Sequence, residues 1–160
     1  RYLAMTDAIN GARYILSSQG IEVMTRDDAF PRSIAESPAP IGTDLMSDVP
    51  FLVTGDGRAF AFAIEYVVGP EASGTAAMLG AYERGTDTFL LQRIGEPQSE
   101  GDYDRALREL ERWGSLSCPS DDGIVEDTNR SFAATLTIPG TKSRYCFRVD
   151  LNRKEIVPWR

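Results

Sequence analysis

Hydrophobic residues at the front of the chain recur at intervals of three and four. Tyr2, Met5, Ile9, Ala12 and Leu16 would line one face of a helix, so the spacing predicts a helix over residues 1–18 with these five as its packing residues. Gly20 follows as a left-handed C-terminal stop. Between residues 25 and 50 the pattern fails. Pro31, Pro38, Pro40 and Pro50 interrupt any regular element, which predicts a long connecting loop over the surface.

A different period takes over at residue 51. Phe51 to Thr54 leads into the turn Gly55-Asp56-Gly57. Beyond it Phe60, Phe62, Ile64, Tyr66 and Val68 alternate with Ala59, Ala61, Ala63 and Glu65. A period of two places the large residues on one face of a strand and the small ones on the other, where a helix is expected to lie close. Ala76 to Arg84 and Thr86 to Ile94 read as a hairpin around Gly85-Thr86-Asp87, completing a β-meander over 51–94.

Ser99, with Asp102 three residues later, opens a short helix over 99–113. It carries Tyr103, Ala106, Leu107 and Leu110 on one face and stops at Gly114. Strands Ser131 to Ile138, Arg144 to Leu151 and Glu155 to Val157 end the chain, within a disulfide-bounded C-terminal region over 118–160. The expected fold class is α+β. A long N-terminal helix packs on an antiparallel β-meander, with a second short helix and a C-terminal disulfide loop, all in one domain over 1–160.

Composition narrows the function classes. With 160 residues, 42% hydrophobic and 26% charged, the chain is of globular type and large enough to bury a core. A net charge of −7 disfavours nucleic acid and anionic membrane surfaces, because both select for Lys and Arg. Two cysteines, Cys118 and Cys146, suit one disulfide in an oxidising compartment, the alternative being two buried thiols.

The absence of histidine removes Ser-His-Asp and Cys-His catalysis and histidine-based zinc sites. No Walker loop or dinucleotide fingerprint is present. Acid–base chemistry by two carboxylates stays open in principle, but with 24 acidic residues their proximity in sequence carries almost no information, so the expectation is no enzyme, no cofactor and no metal. The cluster Asp121, Asp122, Glu126 and Asp127 around Gly123 offers oxygen ligands of the kind Ca²⁺ prefers, but its spacing departs from an EF-hand loop. A solvated acidic loop is the reading adopted. Asn129-Arg130-Ser131 fits the N-glycosylation sequon.

Leu3-Ala4-Met5 through Gln19-Gly20-Ile21-Glu22-Val23, then Phe62-Ala63-Ile64-Glu65-Tyr66-Val67-Val68 and Arg144-Tyr145-Cys146-Phe147-Arg148-Val149, carry a family likeness in their order. A helix, a Pro-rich loop, a meander and a C-terminal cysteine pair resemble the headgroup of type IV pilins and type II secretion pseudopilins. The resemblance implies a non-catalytic structural subunit of an envelope filament, with other filament subunits as partners. It also implies a periplasmic or cell-surface location and a membrane anchor only through an apolar helix preceding Arg1. The long insertion from Gly69 to Thr75 and the helix from Asp102 to Trp113 depart from compact headgroups of that kind. Two other classes stay open: a periplasmic inhibitor or immunity-type binding protein, and an extracytoplasmic sensor domain of a membrane receptor.

Overall fold

The computed structural model describes residues 2–42, 48–68, 74–114, 118–128 and 130–159. Its strands form three four-stranded antiparallel sheets, each a meander of consecutive strands. The first comprises β1 (Tyr2–Met5), β2 (Ala12–Ser17), β3 (Gly20–Thr25) and β4 (Arg32–Glu36). The second comprises β5 (Phe51–Val53), β6 (Ala59–Val68), β7 (Gly74–Glu83) and β8 (Thr88–Ile94). After the helix α1 (Tyr103–Trp113) come β9 (Gly123–Thr128), β10 (Ser131–Thr137), β11 (Arg144–Asp150) and β12 (Glu155–Pro158).

This arrangement overturns the α+β expectation. The helix foreseen over 1–18 is a strand pair. Tyr2 and Met5 lie at the ends of β1, Ile9 forms an isolated bridge with Ala12, and Ala12 and Leu16 belong to β2. Asn10 and Gly11 explain the difference, with φ of 51° and 80°. Two successive positive φ values make a hairpin turn of the primed kind, whose twist suits antiparallel strands and cannot continue a helix. Downstream of it Tyr14 and Leu16 point to the core with period two, opposite Val23 and Ile21. Gly20 does not end a helix either. A Cβ there would stand 2.1 Å from the Ala35 carbonyl oxygen, so glycine lets β4 close against β3. Within 25–50, Arg32–Glu36 is strand, while 43–47 fall outside the described residues.

The second sheet is the middle layer. Phe60, Phe62 and Ile64 of β6, with Met78 and Tyr82 of β7, pack against Tyr14, Leu16, Ile21 and Val23 of the first sheet. Ala59, Ala61 and Ala63 face the opposite way, toward Phe132, Leu136, Tyr145 and Phe147 of the third sheet. The alanine face therefore receives a sheet of bulky residues along its length, not the helix expected there. Residues 59–64 are all 1% exposed or less. Large side chains on one layer against small ones on the next allow close sheet packing without voids.

Register completes the fit. Phe62 lies opposite Gly80 on β7, and a Cβ at Gly80 would sit 2.0 Å from the Phe62 ring. The aromatics of this interface touch in sequence: Tyr14 on Phe60 edge-on at 5.1 Å, Phe60 near Tyr82 at 5.7 Å, and Tyr82 near Phe89 at 5.6 Å. The single helix among the described residues packs against β7, β8 and β11. Trp113 and Leu110 enter the core between the second and third sheets.

A buried carboxylate locks the turns at one end of the middle sheet. Glu83, 2% exposed, accepts Arg58 Nε at 2.6 Å, the Gly85 and Thr86 amides at 2.9 and 2.7 Å, and the Thr86 hydroxyl at 2.5 Å. Burial alone would raise its pKa, but these donors win and hold it at about 2.

Two predictions follow from this packing. Gly80→Ala should destabilise the domain by about 1–3 kcal/mol, because a methyl group must displace a buried ring, and denaturant unfolding reads the loss directly. Glu83 should make stability fall with acid. Its folded pKa lies below its ordinary 4.5, so the unfolded chain takes up the proton first. Its contribution, on the order of 3 kcal/mol, is whole above pH about 4.5 and disappears as pH falls toward about 2. Urea titrations across that window should show the decline, and Glu83→Gln should flatten it.

Candidate functional site

The acidic residues near β9 do not converge. Asp122 accepts the Thr137 amide at 2.9 Å and the Thr137 hydroxyl at 2.7 Å. Asp127 pairs with Arg148, whose guanidinium stacks 4.8 Å over the Trp159 ring. Glu126 and Asp127 are consecutive residues of a strand, so their side chains leave opposite faces. Among the described residues no three His, Cys, Asp or Glu side chains are grouped to hold a metal ion. Asn129 of the sequon lies outside the described residues.

Cys118 and Cys146 are bonded, with Cα atoms 5.7 Å apart. Cys146 sits in β11 on the face away from the core that Tyr145 and Phe147 enter. The bond ties the segment between α1 and β9 to the outer face of the third sheet. Arg144, on that same outer face, donates to the Ser120 carbonyl and to the Thr137 hydroxyl, reinforcing the attachment.

A cleft of about 430 Å³ lies where α1 meets the third sheet. Leu107, Leu110 and Glu111 of the helix form one wall. Thr141, Lys142 and Ser143, in the β10–β11 turn, form the other. Its floor holds Glu65 and Tyr145, joined by a hydrogen bond of 2.6 Å from the Tyr145 hydroxyl to Glu65 Oε2. Burial first, and then the neighbouring carboxylate, push the Tyr145 hydroxyl well above its usual pKa, so it stays a protonated donor.

Local sequence builds each side of this cleft. Glu65 continues the small-residue face of β6 beyond the buried Ala63, and Val67, next on that face, is exposed. Gly114 is the C-cap of the helix, and a Cβ there would lie 2.4 Å from the Arg144 carbonyl oxygen, so glycine permits a close approach. That closeness brings the last helical turn against β11. Leu107 is 55% exposed although it belongs to the apolar stripe of the helix. The stripe therefore has a buried part, Ala106 and Trp113, and a part left at the cleft.

The residues that the sequence marks out lie in two parts of the molecule. The cysteine pair lies behind the cleft wall, while Tyr2, Met5, Ile9, Ala12 and Leu16 belong to the first sheet. The sequence places Leu107 and Leu110 on the apolar face of the helix, but none of the cleft residues is a candidate site residue there. The one available signal was Glu65, a carboxylate interrupting an alternating run of otherwise apolar positions.

No protein-family model matches this chain, and no match was found among curated proteins or among solved structures. No helix among the described residues is long and apolar enough to cross a membrane. The cleft and the disulfide are thus the features from which function must be argued.

Removing the disulfide should cost roughly 3–4 kcal/mol by the chain-entropy estimate for residues 28 apart in sequence. Comparing the denaturation midpoint of the oxidised domain with that of a Cys118→Ala, Cys146→Ala variant checks this. An unchanged midpoint would show that the bond constrains nothing that the sheets do not already fix.

Proposed function

We propose that this domain is a non-catalytic binding module of an oxidising, extracytoplasmic compartment, with the cleft beside α1 as its working surface. The observation that carries this reading is the exposed apolar wall of α1 facing polar groups across a concavity of about 430 Å³. That volume lies within the range of small-ligand sites, and a mainly apolar wall with a few fixed polar groups is their usual composition. Support for the compartment comes from the Cys118–Cys146 bond, since structural disulfides persist where thiols are not kept reduced.

The binding-protein and sensor-domain classes raised by the sequence both fit such a module. The filament-subunit reading required a helix over 1–18 as a spine. With that segment folded as β1 and β2, that reading loses its helical spine as support.

A fragment screen on the isotopically labelled domain tests the proposal. Ligands should perturb the NMR signals of Leu107, Leu110, Thr141 and Tyr145 together, and Leu107→Glu should abolish those responses while leaving the thermal transition nearly unchanged. Hits confined to other surfaces would remove the cleft as the working surface.

A further inference from the structure

We propose that the cleft selects a cation carried on an aliphatic stem, with Glu65 as the counter-charge. The chemistry is that of a lysine side chain on a partner polypeptide or of a free alkylamine. This deepens the binding-module reading and rests on it.

Glu65 is half-buried at the end of a buried face. Its predecessors on the same face, Ala59, Ala61 and Ala63, are fully buried against the third sheet. A carboxylate at the end of such a face loses hydration and needs donors in return. Tyr145 supplies one, to Oε2, and holds the carboxylate in a fixed orientation. Oε1 is not used by that bond. A charged donor entering the cleft would meet it in surroundings less polar than water, where charge-assisted hydrogen bonds are strong.

Among the described residues no cation is paired with Glu65. Arg144 lines the cleft, but its guanidinium is committed elsewhere, to Ser120 and Thr137 and 3.9 Å from Asp122. Lys142 stands exposed on the rim, one positive charge against the two carboxylates Glu65 and Glu111. Leu107 and Leu110, three apart on the helix, present adjacent side chains that suit the methylenes of an extended stem. The net charge of −7 favours the approach of a cation over that of an anion.

The test compares three probes of one shape: n-pentylammonium, n-pentanol and pentanoate, titrated by NMR into the full domain. Pentylammonium should give saturable shifts at Leu107, Leu110 and Glu65, while pentanol and pentanoate bind at least about tenfold more weakly. Glu65→Gln, whose amide oxygen can still accept from Tyr145, should weaken pentylammonium by about tenfold with the fold retained. Glu111→Gln, on the rim, gives a second and smaller loss that does not touch the buried bond. A short lysine-containing peptide binding more tightly than pentylammonium identifies a polypeptide as the source, and the reverse order identifies a free amine. Equal or tighter binding of pentanol or pentanoate in the cleft overturns the charge assignment and leaves the binding module standing. No response of the cleft to any probe or to the fragment screen overturns both.

Discussion

The middle sheet has to bury both of its faces, and the rest of the structure follows from how it does so. β6 meets that constraint with a division of size: Phe60, Phe62 and Ile64 on one side, Ala59, Ala61 and Ala63 on the other. Aromatic rings on the first face need small or shaped neighbours, which Gly80 supplies directly across the ladder. Alanines on the second face let a sheet of large residues approach, which Phe132, Leu136 and Phe147 supply. Each outer sheet is thus cut to a different surface of the same strand. Exchanging the two faces by a one-residue slip would place rings against rings on one side and leave a void on the other.

The cleft is a consequence of where this packing stops. Along this face of β6, the buried Ala63 is followed by half-buried Glu65 and by exposed Val67. Glu65 marks the transition from buried alanines to a position that water or a ligand can reach. The helix arrives at the same place because Gly114 allows it to press on β11. A charge anchored by a buried tyrosine and an apolar helical wall are thereby set opposite one another. Neither feature is needed for the sheet stacking itself, which is why the cleft is the surface from which function is argued.

The polar groups that the fold does bury are tied to turns. Glu83 gathers Arg58, Gly85 and Thr86 at one end of the middle sheet, so that the β5–β6 and β7–β8 connections are held by one carboxylate. Asp122 and Arg144 do the same at the third sheet, where the disulfide adds a covalent tie. Among the described residues no buried side-chain nitrogen or oxygen lacks a partner. Of the acidic residues that look like a ligand cluster in sequence, Asp122 and Asp127 are thereby accounted for as anchors of chain segments.

By itself the sequence determined the local alternation of β6, the turns at Gly55-Asp56-Gly57 and Gly85-Thr86-Asp87, the short helix ending at Gly114 and the exclusion of histidine chemistry. These depend on neighbours a few residues apart, or on composition alone. It misdirected at residues 1–18, because apolar residues three and four apart also occur in two strands joined by a turn, and only the paired positive φ of Asn10 and Gly11 separates the cases. What covers the alanine face was decided by tertiary structure: a small-residue face fits a helix or a sheet equally well until the partner's side chains are known. The pairing of Glu65 with Tyr145, eighty residues apart, was likewise decided only there. A hydrogen bond between layers depends on the stacking order and registers of whole sheets, and no local pattern encodes it.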